Sequence, residues 1–163
     1  MNNYQLNTNW CLWYHSINDT NWKKNSYKNL FTLKNLFDVK CINDIIDKIH
    51  LQNGMFFIMR ENIFPTWEDP DNRNGCCISF KVPSSFLKEQ WNTILNGVLS
   101  EDILTDSTNT EYINGISIAP KKEFNIIKLW LRDGGKKYED NLREYGPFFT
   151  KEKALIKKHV LSE

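Results

Sequence analysis

Apolar and polar residues alternate singly along "WCLWYHSI" (residues 10–17), which predicts a strand with Trp10, Leu12 and Tyr14 on one face. The polar stretch "NDTNWKKN" (18–25) reads as a turn carrying an isolated Trp22, and "LFTLKNLF" (30–37) as a second strand. In "INDIIDKIH" (42–50), Ile42, Ile45, Ile46 and Ile49 fall at i, i+3, i+4 and i+7, with Asp44 one turn before Lys48. That spacing predicts a helix with Ile45 and Ile49 on its inward stripe. "GMFFIMREN" (54–62) and "CCISFKV" (76–82) read as a hairpin pair around a loop. Residues 83–101 form a helix capped by Ser85, with Leu87, Trp91, Ile94, Leu95 and Val98 as its stripe. "INGISIAP" and "FNIIKLWLRD" make a hairpin around Pro120 to Glu123. "KKYEDNLREYG" (136–146) predicts a third helix stopped by Gly146-Pro147, and "ALIKKHVL" (154–161) a last strand. Strands interleaved with a few helices through short connections give an α+β class with a mostly antiparallel sheet.

The loop between the hairpin strands departs from this plain pattern. "FPTWEDPDNRNG" (64–75) has Pro65 and Pro70 bracketing Trp67-Glu68, followed by Asp, Asn and Gly turn chemistry. A surface loop thus carries the largest apolar side chain beside a bare carboxylate. Trp22 is a second tryptophan in polar surroundings, out of six in 163 residues. Two indoles clamping a flat ring gain roughly 1–3 kcal/mol each for a nucleobase, and more if the ring is cationic. A carboxylate at the slot's edge accepts two parallel N–H bonds from the N1 and N2 edge of guanine. N7-methylation makes that ring cationic and its N1–H a better donor, so slot plus carboxylate selects the mRNA 5′ cap over unmodified guanine.

Composition narrows the alternatives. The length and 40% hydrophobic content fit one domain over residues 1–163, with residues 1–9 as a flexible N-terminal arm. A net charge of +1 provides no global field for nucleic acid, so any anion site is local. No apolar run spans a bilayer and no export signal opens the chain, so a cytoplasmic protein is expected. Cys11, Cys41, Cys76 and Cys77 lack CxxC spacing and read as free thiols. Abundant Asn, Ile and Lys with only two alanines, Ala119 and Ala154, fit an A+T-rich genome such as that of a protist or large DNA virus. His15, His50 and His159 lack metal-ligand spacing, and no nucleophile elbow, P-loop or dinucleotide fingerprint occurs. No metal, cofactor or catalytic residue is therefore expected. A thiol–imidazole pair built on Cys76 or Cys77 is weighed against inert buried thiols, which are commoner. Asp69 and Asp71 read as a solvated loop face.

"WCLWYH…NDTNW…GMFFIMRENIFPTWEDPDN…NG…KLW" resembles the eukaryotic translation initiation factor 4E family, the mRNA cap-binding proteins, over about Trp10 to Trp130. The resemblance implies a curved antiparallel sheet of about eight strands, three helices on its convex back and the cap on its concave face. It implies that Trp22 and Trp67 stack on the base, that Glu68 reads its edge and that the Trp67 amide meets the guanine O6. Trp130 would pack beside the N7-methyl group, and Trp10, Trp13 and Trp91 would be structural.

Two regions depart from the family pattern. For the phosphates, Lys121 stands in place of an arginine, keeping charge but losing the fork. Ile126 and Cys77 stand where further basic residues are expected, leaving Lys122, Lys128 and Arg73 as substitutes, with Lys136, Lys137, Lys157 and Lys158 next in line. On the partner side, Ile46 matches a helical tryptophan, Asn92 and Asn96 match two leucines, and Tyr4-Gln5-Leu6 keeps only the leucine of a His-Pro-Leu motif. Ile42 and Ile46 retain apolar surface there for a 4G-like scaffold or a dedicated partner. The expectation is a monomeric cap-binding initiation factor with capped mRNA as ligand. A cap-sequestering repressor, a metal-dependent enzyme using Glu61, Glu68 and Asp69, and a nucleotide-free interaction module are the rivals.

Overall fold

The computed structural model describes residues 4–159. Seven strands form one curved, open, antiparallel sheet: β1 (Gln5–Ser16), β2 (Lys28–Asn35), β3 (Gly54–Arg60), β4 (Cys76–Pro83), β5 (Ile113–Pro120), β6 (Phe124–Leu131) and β7 (Leu155–Lys158). Their spatial order is β2-β1-β3-β5-β6-β4-β7, with every neighbouring pair antiparallel. Three helices accompany it: α1 (Leu36–Ile45), α2 (Lys48–Asn53) and α3 (Leu87–Leu99). No helix among the described residues is long and apolar enough to cross a membrane.

Alternation along the strands separates two apolar clusters, one on each face of the sheet. Trp10, Leu12, Phe56, Ile58, Ile116, Ile127 and Leu129 pack with Val39, Ile42, Leu51, Leu87, Trp91 and Ile94 of the helices to make the main core. The intervening residues Phe57, Met59, Cys77 and Trp130 make a smaller cluster, packed by Trp13, Tyr27, Met55 and Trp67. Helices thus cover one face, and the tryptophans of the candidate slot gather on the other. Arg60, where β3 ends, ties that junction down. It stacks over Trp10 at 4.5 Å, pairs with Glu101 at 2.5 Å and donates to the Ile113 carbonyl at 2.6 Å. An almost buried ion pair is destabilising to break because the surviving charge is stranded.

Several local expectations change. The strand expected over 30–37 spans Lys28–Asn35, and Asn35 caps α1 by accepting from the Asp38 amide at 3.0 Å. The single helix expected over 42–50 is two helices, broken at Ile46-Asp47, with Asp47 capping α2. Starting α1 at Leu36 brings Val39 into the inward stripe and sets its phase. Ile42 and Ile46 are buried with Val39, whereas Ile45 and Ile49 are 64% and 65% exposed. Inward and outward isoleucines are therefore exchanged, and Asp44 pairs with Lys40 at 2.7 Å rather than with Lys48. Ser85 does not cap α3, which follows a short 3-10 turn over Ser84–Phe86.

Residues 136–146 form no α-helix; they hold only a 3-10 turn at Glu139–Asn141. Tyr138, Leu142 and Tyr145 imitate a helical stripe but serve separate contacts. The Tyr138 hydroxyl donates to the Asp133 carbonyl, Leu142 bridges to Leu104, and Tyr145 bridges to Phe149. The N-terminal arm expected over 1–9 is also shorter, because β1 begins at Gln5 and pairs there with Asn35. Residues 1–3 of that arm, and residues 160 and 161 of the last expected strand, lie outside the described residues.

Candidate functional site

Trp67 stands in the loop that joins β3 to β4, and polar side chains folded inward hold that loop. Asp69 accepts from the Phe64 amide at 3.0 Å and from the Asp71 amide at 2.9 Å. It is therefore a fastener within the loop, not the solvated face expected from sequence. Asp71 makes a long ion pair with Arg132, at 3.7 Å. Asn72 is fully buried; its amide donates to the carbonyls of Phe64 (3.1 Å) and Thr66 (2.8 Å), and its side-chain oxygen accepts from Asn114 at 2.8 Å. Gly75 closes the loop where a Cβ would lie 1.9 Å from the Leu131 carbonyl oxygen, so only glycine fits. Trp67 is half-buried on this scaffold, and its amide makes no hydrogen bond among the described residues. Glu68 is exposed and accepts no hydrogen bond among them.

Sheet register completes the floor. Cys77 pairs with Trp130 on one side and Lys157 on the other, and Ser79 pairs with Lys128. These residues share one face, and with Trp67, Lys158 and His159 they line a cavity of about 380 Å³. The Trp130 indole N–H donates to Ser117 Oγ at 2.9 Å, and its ring meets His159 at 5.5 Å between centroids. His159 Nδ1 lies 2.6 Å from the Asn72 carbonyl oxygen and Nε2 lies 3.1 Å from Cys77 Sγ. The thiol–imidazole proximity weighed from sequence thus exists. Burial pushes the Cys77 thiol up to about 12, however, which leaves it a thiol that donates S–H and not a nucleophilic thiolate.

Trp22 lies in the loop between β1 and β2 and does not line this cavity. It is 53% exposed and stacks flat on His15, with ring centroids 4.0 Å apart and planes 5° apart. Tyr27 links the two loops, lying 6.4 Å from Trp22 and 5.1 Å from Phe64 of the Trp67 loop. Its hydroxyl is pushed up to about 12, first by burial and then by the negative charge of Glu68. Glu68 is therefore electrostatically coupled to the aromatic cluster that carries Trp22.

The basic residues named from sequence divide. Lys128 lines the cavity with Trp67 and Trp130. Arg73 lines an adjoining recess with Asn74, Gly134, Lys158 and His159. Lys121 and Lys122 occupy the exposed tip of the β5–β6 hairpin and line neither space. Lys157 and Lys158, next in line from sequence, join the site with His159 through the strand pairing of β7.

The partner residues divide as well. Ile42 and Ile46 are core residues at 5% and 6% exposure, so they do not provide the open apolar centre expected of them. Exposed Ile45 and Ile49, with Leu30 and Phe31, instead border an apolar groove of about 770 Å³ whose floor Ile42 and Ile46 reach. Asn96 accepts from Asn43 at 3.1 Å, and the buried Asn92 side-chain oxygen has no partner among the described residues.

Comparison with known proteins places this geometry in context. The family model described as eukaryotic initiation factor 4E matches residues 5–150. A eukaryotic translation initiation factor 4E homolog of Acanthamoeba polyphaga mimivirus is 25% identical, covering 73% of this chain and 52% of its own length. This chain therefore spans about half the length of that relative. Eukaryotic translation initiation factor 4E of Saccharomyces cerevisiae is 29% identical, covering 89% of this chain and 68% of its own. Among solved structures, Ascaris suum eIF4E-3 in complex with the m7G cap superposes with a TM-score of 0.72 at 23% identity, covering 84% of this chain and 77% of that one. Caenorhabditis elegans eIF4E-3 in complex with the 4E-binding protein Mextli gives 0.71 at 21% identity, covering 80% and 76%.

Proposed function

The chain belongs to the eukaryotic initiation factor 4E family, and from that premise we propose that it holds the N7-methylguanosine 5′ cap of mRNA as a translation initiation factor, without catalysis. One juxtaposition carries the reading. Trp67 and Trp130 line a single cavity, and Glu68, which follows Trp67 in the chain, has no partner among the described residues. The methylated base enters between Trp67 and Trp22, and stacking of a cationic ring on indole faces supplies most of the selectivity. Glu68 accepts the N1 and N2 protons in a charge-assisted pair, while the free Trp67 amide meets O6. Trp130 packs against the methyl group.

On the phosphate side, Lys128 acts with Lys157 and Lys158, which border the same cavity. Their ammonium groups attract the triphosphate as point charges and lack the bidentate geometry of arginine. The cap seen with the Ascaris protein supports this class of ligand. The enzymatic rival loses support because both Asp69 oxygens already accept backbone amides and are poorly placed to hold Mg²⁺. A 4G-like scaffold or dedicated partner would meet the helical face, with Ile45 and Ile49 as its apolar centre in place of Ile42 and Ile46. The Mextli complex of the nematode relative supports a partner of that class.

Titration calorimetry with N7-methyl-GTP and GTP tests the reading. Binding of the methylated ligand with tryptophan quenching, and much weaker binding of GTP, is the expected result. Equal affinities would refute it, and hydrolysis of a cap analogue in the presence of Mg²⁺ would favour the enzyme.

A further inference from the structure

His15 lies next to last in β1, on the slot face, opposite Met55 of β3, and is fully buried. Both of its ring nitrogens face hydrogen-bond acceptors. Nδ1 is 2.8 Å from the Ser16 carbonyl oxygen, and Nε2 is 2.8 Å from the Asn21 carbonyl oxygen. Nε2 also lies 3.0 Å from Ser26 Oγ, but that hydroxyl donates its proton to the Lys23 carbonyl at 2.7 Å and turns a lone pair toward the ring. Above the ring lies the Trp22 indole, stacked parallel to it.

We propose that His15 is a positioning residue: its ring clamps the loop 17–26 to β1 and preorganises Trp22 for stacking. The inference rests on the reading that Trp22 forms one wall of the cap slot. The ring nitrogens meet the Ser16 carbonyl at the end of β1 and the Asn21 carbonyl near the middle of the loop, directly beneath the indole.

Two measurements decide the matter. In His15→Phe, which keeps an aromatic ring under the indole and loses both hydrogen bonds to the loop, the Trp22 indole resonance of the ligand-free chain should broaden relative to wild type, while the Trp67 and Trp130 indole resonances stay sharp. A Trp22 signal unchanged in His15→Phe, or equal broadening of all three indoles, overturns the proposal. N7-methyl-GTP should bind His15→Phe roughly tenfold more weakly than the wild type. An unchanged affinity also overturns the clamp. If neither protein binds, the cap reading fails, and the ligand-free spectra still decide whether His15 positions Trp22.

Discussion

The two tryptophan-bearing loops reach the same face of the sheet by opposite means. The Trp67 loop is built around a buried Asn72 and an inward Asp69, so much of its backbone is hydrogen-bonded before any ligand arrives. The Trp22 loop has no comparable interior. Residues 20–25 are exposed, and its main internal anchor is the ring of His15. One indole is thus fixed by a network and the other by a single side chain. Preorganisation reduces the ordering entropy paid on binding, so in the proposed slot the fixed wall would define where the base sits and the looser wall would close over it. A slot with one rigid and one adaptable side admits a flat ring without having to be open in advance.

Substitution at asparagine positions in the two loops should expose this contrast most strongly. Asn72→Ala removes three side-chain hydrogen bonds at a buried site, to the Phe64 and Thr66 carbonyls and from Asn114. The expected loss is about 3 kcal/mol of unfolding free energy, since each of the three hydrogen bonds is worth roughly 1 kcal/mol. Asn25→Ala removes only an exposed contact with Asn21 and should change stability by less than about 0.5 kcal/mol. Urea unfolding of both variants is the measurement. Similar losses in the two would mean that the Trp22 loop has an interior after all.

The tryptophans themselves should separate binding from stability. Trp67→Ala and Trp22→Ala should each weaken N7-methyl-GTP binding by roughly 1–3 kcal/mol, the worth of one stacked face. Trp67 packs against the smaller cluster that holds Phe57, Met59 and Trp130, so its loss should also lower the thermal midpoint. Trp22 is mostly solvent-facing, so its loss should leave that midpoint almost unchanged. Calorimetry paired with thermal unfolding checks this. A Trp22→Ala variant with full affinity would remove it from the slot.

The same contrast marks how far the sequence could be read. Residues with strong local signatures were legible: alternation in Trp10 to His15, the α3 stripe of Leu87, Trp91, Ile94, Leu95 and Val98, and the proline-bracketed loop holding Trp67 and Glu68. Features set by phase or by distant pairing were not. Asn35 turns a strand-like run into a helix start, and only with Val39 included does the stripe place Ile42 and Ile46 inside and Ile45 and Ile49 outside. Tyr138, Leu142 and Tyr145 keep helical spacing, yet each is claimed by a different distant contact. Asp69 looks like a solvated acid because nothing local shows that the Phe64 and Asp71 amides will turn toward it. Lys157 enters the site because β7 pairs with β4 at Cys77, and a register is a property of the folded sheet.

That pairing leads to the smallest expected effect, on the phosphate side of the fixed wall. Lys128 and Lys157 reach the cavity of Trp67 and Trp130 from two different strands, whereas Lys121 sits at the hairpin tip, four residues beyond Ser117, the partner of Lys128. At about 3.3 Å per strand residue that places it roughly 13 Å farther along the sheet. An exposed lysine facing a phosphate is worth about 1 kcal/mol or less, because water and salt screen it. Lys128→Ala and Lys157→Ala should therefore each weaken the triphosphate by that amount and leave the bare methylated nucleoside untouched. They should also flatten the salt dependence of binding, since each removes one phosphate contact. Lys121→Ala should do none of these things. Affinities for N7-methyl-GTP and N7-methylguanosine over a range of salt concentrations separate the cases. If Lys121→Ala flattens the slope and Lys157→Ala does not, the triphosphate runs toward the hairpin tip and β7 only frames the base.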